Sequence, residues 1–295
     1  MLQVQTVRGP VDAAELGQTL MHEHVFVLTA DVQQNYPEEW GSEDERVADA
    51  VGKLRALEAV GVRTIVDPTV IGLGRYVPRI ERIAAQVDLN IVVATGVYTY
   101  DAVPLHFRYR GPALSAAFGA EVPDPMVDLF VRDVEEGIAG TGVRAAFLKC
   151  AIDAPGLTPG VERVMRAVAK AHQRTGVPIT VHTHPGTRAG LVVQRVFGEE
   201  GVDPGRVVLG HSGDTTDADH LGALADAGFL GMDRFGLYLD TSCYIDWIDP
   251  QVMALLPQWT YTHIHEEVLP YLREHGVTDE QIETMLVTNP RRYFE

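Results

Sequence analysis

Cysteine is nearly absent from this chain: Cys150 and Cys243 are the only two in 295 residues. They form no Cys-x-x-Cys pair, so neither a disulfide framework nor a thiolate zinc site is indicated. Cationic side chains are also scarce, with 24 Lys and Arg against 41 Asp and Glu and a formal net charge of −17. Nucleic acids and anionic membrane surfaces need basic patches to neutralise phosphate, so neither is expected as a partner. No run approaches the roughly 18 consecutive apolar residues of a membrane span, and the stretch from Met1 to Pro10 has no apolar core of a signal peptide. A cytoplasmic protein is expected. There is no Gly-x-Ser-x-Gly elbow, and neither cysteine sits in a recognisable Cys–His arrangement. No internal repeat, low-complexity tract or linker divides the chain, which points to one domain over 1–295.

What the chain does have is histidine at the ends of strand-like runs. In Thr19-Leu20-Met21-His22-Glu23-His24-Val25-Phe26-Val27 the two histidines stand two apart. On a strand they share a face, with Glu23 on the other, and both imidazoles can reach one metal ion. Pro178-Ile179-Thr180-Val181-His182-Thr183-His184 repeats the pattern, as does Arg206-Val207-Val208-Leu209-Gly210-His211, and Ala145-Ala146-Phe147-Leu148-Lys149 ends an apolar run on a lysine. Polar groups at the C-terminal ends of four strands match the place where (β/α)8 barrels build their sites.

Between these runs, strand and helix signals alternate, which favours parallel βαβ units. Ser42 caps a helix reaching Val60, and strand two covers Thr64 to Val70. A helix follows over 75–87, and strand three covers Asn90 to Tyr98. Residues 98–122 form a long loop with Tyr98, Tyr100, His106, Phe107 and Tyr109, read as a wall of a binding pocket. Helices are expected over 124–139, 158–175 and 188–200, and from a Thr216 N-cap to Ala227. Strand seven covers Phe229 to Phe235, and the last helices, 262–274 and 279–287, end before Asn289-Pro290. Between Phe235 and the next strand signal, Gly236 to Asp240, there is no room for a helix, whereas a parallel crossover needs about a dozen residues.

Taken together, Leu20-Met21-His22-Glu23-His24, Ile71-Gly72-Leu73-Gly74-Arg75-Tyr76, Thr95 to Tyr100, Leu148-Lys149-Cys150, Leu209 to Asp214, Gly231 to Gly236 and Asn289-Pro290-Arg291-Arg292 resemble the phosphotriesterase family of the amidohydrolase superfamily, most closely its lactonases. The resemblance covers nearly the whole chain. It implies an α/β fold, a (β/α)8 TIM barrel, with the seventh helix and most of the eighth strand missing from this sequence. It also implies two divalent metals, zinc first, with cobalt, iron or manganese as alternatives. By position, His22 and His24 would bind the buried metal, His182 and His211 the exposed one, and a carbamylated Lys149 would bridge them. Asp240 would ligate the buried metal and move the proton. Tyr98 and Arg234 would act on the substrate, in a pocket that also holds Tyr100 and Trp247.

Lactones are the expected substrates, N-acyl homoserine lactones first, with phosphotriesters as a side activity and a homodimer as the assembly. The alternatives are a dedicated phosphotriesterase or other ester or amide hydrolase, and a catalytically impaired binding protein. His184 competes with His182 for the ligand role and Asp233 with Asp240, whereas Asp67, before Pro68, is read as turning the chain, and His263 and His265 as structural. The missing unit amounts to about 30 residues. A barrel without it would expose two strand edges, so the preferred expectation is that residues are absent from the sequence, with a wide Cα separation near Leu239.

Overall fold

The computed structural model describes residues 2–225, 228–233, 240–253 and 255–295. A hairpin of β1 (Gln3–Thr6) and β2 (Gly9–Asp12) leads into the barrel. Its strands are β3 (Thr19–Leu20), β4 (His24–Val27), β5 (Thr64–Asp67), β6 (Asn90–Gly96), β7 (Phe147–Ala151), β8 (Ile179–His182), β9 (Val207–Gly210), β10 (Phe229–Leu230) and β11 (Ser242–Ile245). Pairing runs β10-β9-β8-β7-β6-β5-β3, parallel throughout, and β11 pairs in parallel with β4. Helices Glu43–Ala59, Val77–Ala84, Pro125–Glu135, Pro159–Thr175, Ala189–Glu199 and Ala218–Ala225 lie between successive strands. The architecture is the expected TIM barrel, an α/β fold. No helix among the described residues is long and apolar enough to cross a membrane.

Strands covered on both faces read as apolar runs, and Ile65, Val66, Val92, Phe147, Leu148, Ile179 and Val181 are all fully buried. Val66, Val92, Phe147 and Val208 share one cluster with Tyr293, whose hydroxyl lies 2.9 Å from Thr180 Oγ1. The remaining core packs strands against the surrounding helices.

Several boundaries differ from the sequence expectation. The first strand is split: β3 pairs with β5 and β4 with β11, so residues 21–23 bend between two ladders. Glu23 is buried between them, close enough for Asp233 and Asp240 to act on its carboxyl. Asp217, not Thr216, caps the Ala218–Ala225 helix by accepting the His220 N–H at 2.9 Å. A strand, β11, follows Asp240. The last helix does not stop before Pro290. A π-helical turn at Thr284–Thr288 carries it into Asn289–Phe294, and a similar turn at Ile264–Val268 precedes Pro270. Proline lacks an N–H and clashes with the carbonyl four residues back, and a wider turn relieves both.

The long loop is also more ordered than expected, with short helical turns at Leu105–Arg108, Gly111–Leu114 and Ser115–Phe118. Among the described residues, β3 has no strand beyond β5 to pair with, and β10 none beyond β9. Residues 234–239 lie outside the described set. Arg234, the end of strand seven and the separation expected near Leu239 therefore lie outside it too.

Candidate metal centre

The ends of the strands bring the polar residues together. Two glycines permit the approach. Gly96 ends β6 at φ +147°, and a Cβ there would overlap the carbonyl oxygen of Lys149 on β7. A Cβ on Gly210, at the end of β9, would press within 3.2 Å of the His22 ring. Their absence of side chains seats Lys149 and His22 side by side, with Lys149 Nζ 3.1 Å from His22 Nε2.

Around this pair the ring centroids are 5.7 Å apart for His22 and His24, 4.7 Å for His22 and His211, and 4.4 Å for His182 and His211. Asp240 places one carboxylate oxygen 3.6 Å from Nε2 of both His22 and His24, and the other 3.4 Å from His211 Nδ1. Asp233 takes part as well: it accepts the backbone N–H of His211 at 2.9 Å and lies 3.0 Å from its Nδ1. Two donor sets result, His22 with His211 and Asp233, and His22 with His24 and Asp240. Within each set the donor atoms all lie within 4.8 Å of one another.

Buried ionisable groups need partners, and here they find them in one another. His22 Nδ1 and Asp233 Oδ2 pair at 2.9 Å. Burial, then the Lys149 charge, pulls His22 down to about 3, so its imidazole is neutral at physiological pH. Burial opposes ionisation of Asp233, but His211 and His22 outweigh it and hold the carboxyl well below its ordinary range. Neutral imidazole and ionised carboxylate are the forms that bind a metal, so these residues fit a divalent cation.

Supporting contacts orient the ligand set. His24 Nδ1 lies 2.8 Å from Thr69 Oγ1, and Thr69 is itself held by Asp67, which accepts its backbone N–H at 2.9 Å. Asp67 thus turns the chain, as expected, and also braces His24. His182 Nε2 lies 2.6 Å from Asp153 Oδ2, and its Nδ1 faces the Tyr98 hydroxyl at 3.4 Å. Sequence reading did not single out Asp153 or Thr69, because neither lies in a ligand-like spacing. An acidic residue just past the rim-reaching end of β7 was the available signal for Asp153. Burial pushes Glu23 well above the carboxylate range, with Asp240 and Asp233 adding repulsion, so it sits neutral behind the cluster.

Only part of the aromatic loop faces the site. Tyr98 and Tyr100 pair through their hydroxyls, and their rings lie 5.3 and 5.6 Å from His182, with Trp247 6.1 Å from Tyr98. Phe107 is instead core, and Tyr109 points to solvent. His265 lies 2.9 Å from the Gln18 side chain, consistent with a structural part.

A barrel whose rim carries two overlapping His and carboxylate donor sets is the arrangement of a metal-dependent hydrolase. The phosphotriesterase family model matches residues 2–250 and 245–294, and the chain belongs to that family. It is 55% identical to a phosphotriesterase homology protein of Mycobacterium tuberculosis, covering 100% of this chain and 98% of the relative. An aryldialkylphosphatase of Saccharolobus solfataricus is 37% identical, with 97% and 98% covered. The solved structure of the phosphotriesterase from Mycobacterium tuberculosis superposes with a TM-score of 0.95, covering 99% of this chain and 98% of that one. The alignment with the mycobacterial relative spans 326 positions against the 295 residues here, so at least 31 of its positions have no counterpart in this chain.

Proposed function

We propose that this phosphotriesterase-family hydrolase opens lactones, N-acyl homoserine lactones foremost, with slower phosphotriester hydrolysis on the same site. The observation that carries this reading is the pair of donor sets sharing His22 at the barrel rim. His22, His24 and Asp240 would hold one divalent metal, and His182 and His211 the second. Lys149, fully buried beside His22, would bridge them as a carbamate, which turns an amine into an anion with two oxygens. Two such ions supply Lewis acidity and a water that ionises near neutral pH.

The chain's own groups do the rest. Tyr98 stands at the rim with its hydroxyl near His182, placed to hold the carbonyl oxygen of a lactone. Asp240, within 3.6 Å of both His22 and His24, takes up the proton and returns it to the leaving alkoxide. Tyr100 and Trp247 offer partly exposed apolar faces beside Tyr98, suited to an acyl chain. Arg234 is proposed as a pocket residue on the family resemblance alone.

The test is a side-by-side measurement of kcat/KM on acyl homoserine lactones, aliphatic lactones and a dialkyl aryl phosphate, using metal-loaded protein. Preference for a lactone supports the reading. A phosphotriester preferred over every lactone would replace it with a dedicated phosphotriesterase, the second reading, which the name of the Saccharolobus solfataricus relative favours. Stoichiometric metal without turnover of any substrate would leave a binding protein.

A further inference from the structure

Two members of one donor set stand at the ends of strands. His24 is the first residue of β4, which among the described residues pairs with β11 alone, and Asp240 stands just before β11 begins. The chain bends on the near side of His24, where the Glu23 N–H donates to the Val66 carbonyl and the His24 N–H to the Thr241 carbonyl, each at 3.1 Å. Chain at the end of a ladder opens more readily than chain inside it, whereas a metal ligand has to be held within roughly 0.5 Å of its place. Further ties come from a segment far along the chain. The Tyr261 hydroxyl donates to the His24 carbonyl, and the Trp259 indole N–H donates to the Asp240 carbonyl at 3.1 Å.

Tyr261 is buried in the cluster that holds Val25, Phe26 and Cys243, so packing fixes its ring where the hydroxyl meets His24. With the Tyr261 proton committed to His24, the Cys243 thiol 3.2 Å away is the donor to the Tyr261 oxygen. Burial pushes that thiol up to about 12, so it keeps its proton. The turn is closed by main-chain bonds, Trp259 N–H to the Leu256 carbonyl at 3.0 Å and His263 N–H to the Thr260 carbonyl at 3.2 Å. From one short turn, two side chains thus hold the main chain of two residues that share a donor set with His22. We infer that Trp259 and Tyr261 are positioning residues for one metal of the pair, the ion of His22, His24 and Asp240, acting through the main chain and not as ligands. The inference rests on the reading of those three residues as ligands of one ion. His182 and His211, assigned to the second ion, end β8 and follow β9, strands that pair with each other and not with β4 or β11. A change in the turn should therefore reach the first ion and spare the second.

The test is metal affinity, read on the full chain by titrating cobalt(II) against a chromogenic chelator and following the visible cobalt spectrum through both binding steps. Tyr261→Phe deletes one hydroxyl and keeps the ring. It is expected to weaken one step by about tenfold, the lower end for groups that orient a ligand, and to leave the other within about twofold. Trp259→Phe should weaken the same step. Tyr244→Phe is the control: its hydroxyl also donates to a backbone carbonyl, that of Glu39 at 3.2 Å, and its loss should leave both steps and the spectrum unchanged. In His24→Ala, where the braced ligand is gone, adding Tyr261→Phe should change the remaining step by less than about twofold. Folded Tyr261→Phe with wild-type affinity at both steps overturns the proposal. So does equal weakening of both steps, which is a general loosening of the barrel, or an undiminished effect in His24→Ala. A wild type that takes up no cobalt overturns the reading of the metal centre, and the proposal with it, and the wild type alone shows that outcome.

Discussion

His22 Nδ1 and Asp233 Oδ2 face each other at 2.9 Å, both buried. They belong to the donor set His22, His211 and Asp233, so a cation seated there would gain both as ligands. Metal should therefore stabilise the protein as well as activate it. Chelation is expected to lower Tm by several degrees, reversibly, and elemental analysis to find two metals per chain. In His22→Ala, which removes the residue common to both donor sets, metal should fall to one per chain or less and the fall of Tm on chelation should shrink with it. Two metals retained in that variant would place the ligands elsewhere.

Asp153 should matter to metal binding without touching metal. It holds His182 Nε2 at 2.6 Å, and replacing such an orienting carboxylate typically costs about 10–100-fold in metal affinity. Asp153→Asn is expected to weaken binding in that range, measured by competition with a chromogenic chelator. The hydrogen bond from His182 pulls the Asp153 carboxyl from 3.8 down to about 2. A lowered folded pKa means stability that is present above pH 3.8 and lost as pH falls toward 2. Wild type should therefore be the more stable of the two above pH 4, and acid unfolding curves should converge near pH 2. A constant offset down to pH 2 would show that the carboxylate charge is not what His182 relies on.

Arg75, largely buried, pairs with the buried Asp133 at 2.9 Å, and Thr95 donates to the same carboxylate oxygen at 2.7 Å. Arg75 also donates to the Ala94 carbonyl at 2.9 Å, tying β6 to the Pro125–Glu135 helix that carries Asp133. Removing one partner of a buried pair strands the other charge, at a cost of about 3–5 kcal/mol. Arg75→Ala should lose that much in denaturant unfolding, whereas Arg75→Ala with Asp133→Ala should lose less than the sum of the single changes. Additive losses would mean the pair is not coupled.

The strand-end histidines and Lys149 were legible because a residue that ends an apolar run in a parallel barrel has one place to go, the rim. Asp233 and Asp240 could not be separated by sequence, and the structure gives the reason: both carboxylates enter the cluster, one against His211 and one between His22 and His24. Asp153 and Thr69 were hidden because a group that acts through another side chain follows no ligand spacing. The helix through Pro290 was misread since a proline normally ends one, and the π turn before it leaves no mark in the residue pattern. Phe107 and Tyr109 show the limit of composition: both are aromatic residues of one loop, and one is core while the other faces water.

Gly96 joins fold to site, and its substitution should damage both. The residue sits at φ +147°, a backbone conformation open to glycine and costly for other residues, and an added Cβ would collide with the Lys149 carbonyl oxygen. The obstacle is backbone of β7, whose Leu148 and Lys149 carry the register with β6 and β8, so it cannot swing aside as a side chain would. Gly96→Ala is expected to destabilise by about 4 kcal/mol or more, at the upper end of single substitutions. Any folded fraction has to push β7 away, and Lys149 moves with it, out of its 3.1 Å contact with His22 Nε2. That fraction should bind metal less tightly than wild type, by elemental analysis after gel filtration. Full stability with full metal content in Gly96→Ala would show that β6 and β7 can separate without cost to the site, against the close approach on which the placement of Lys149 depends.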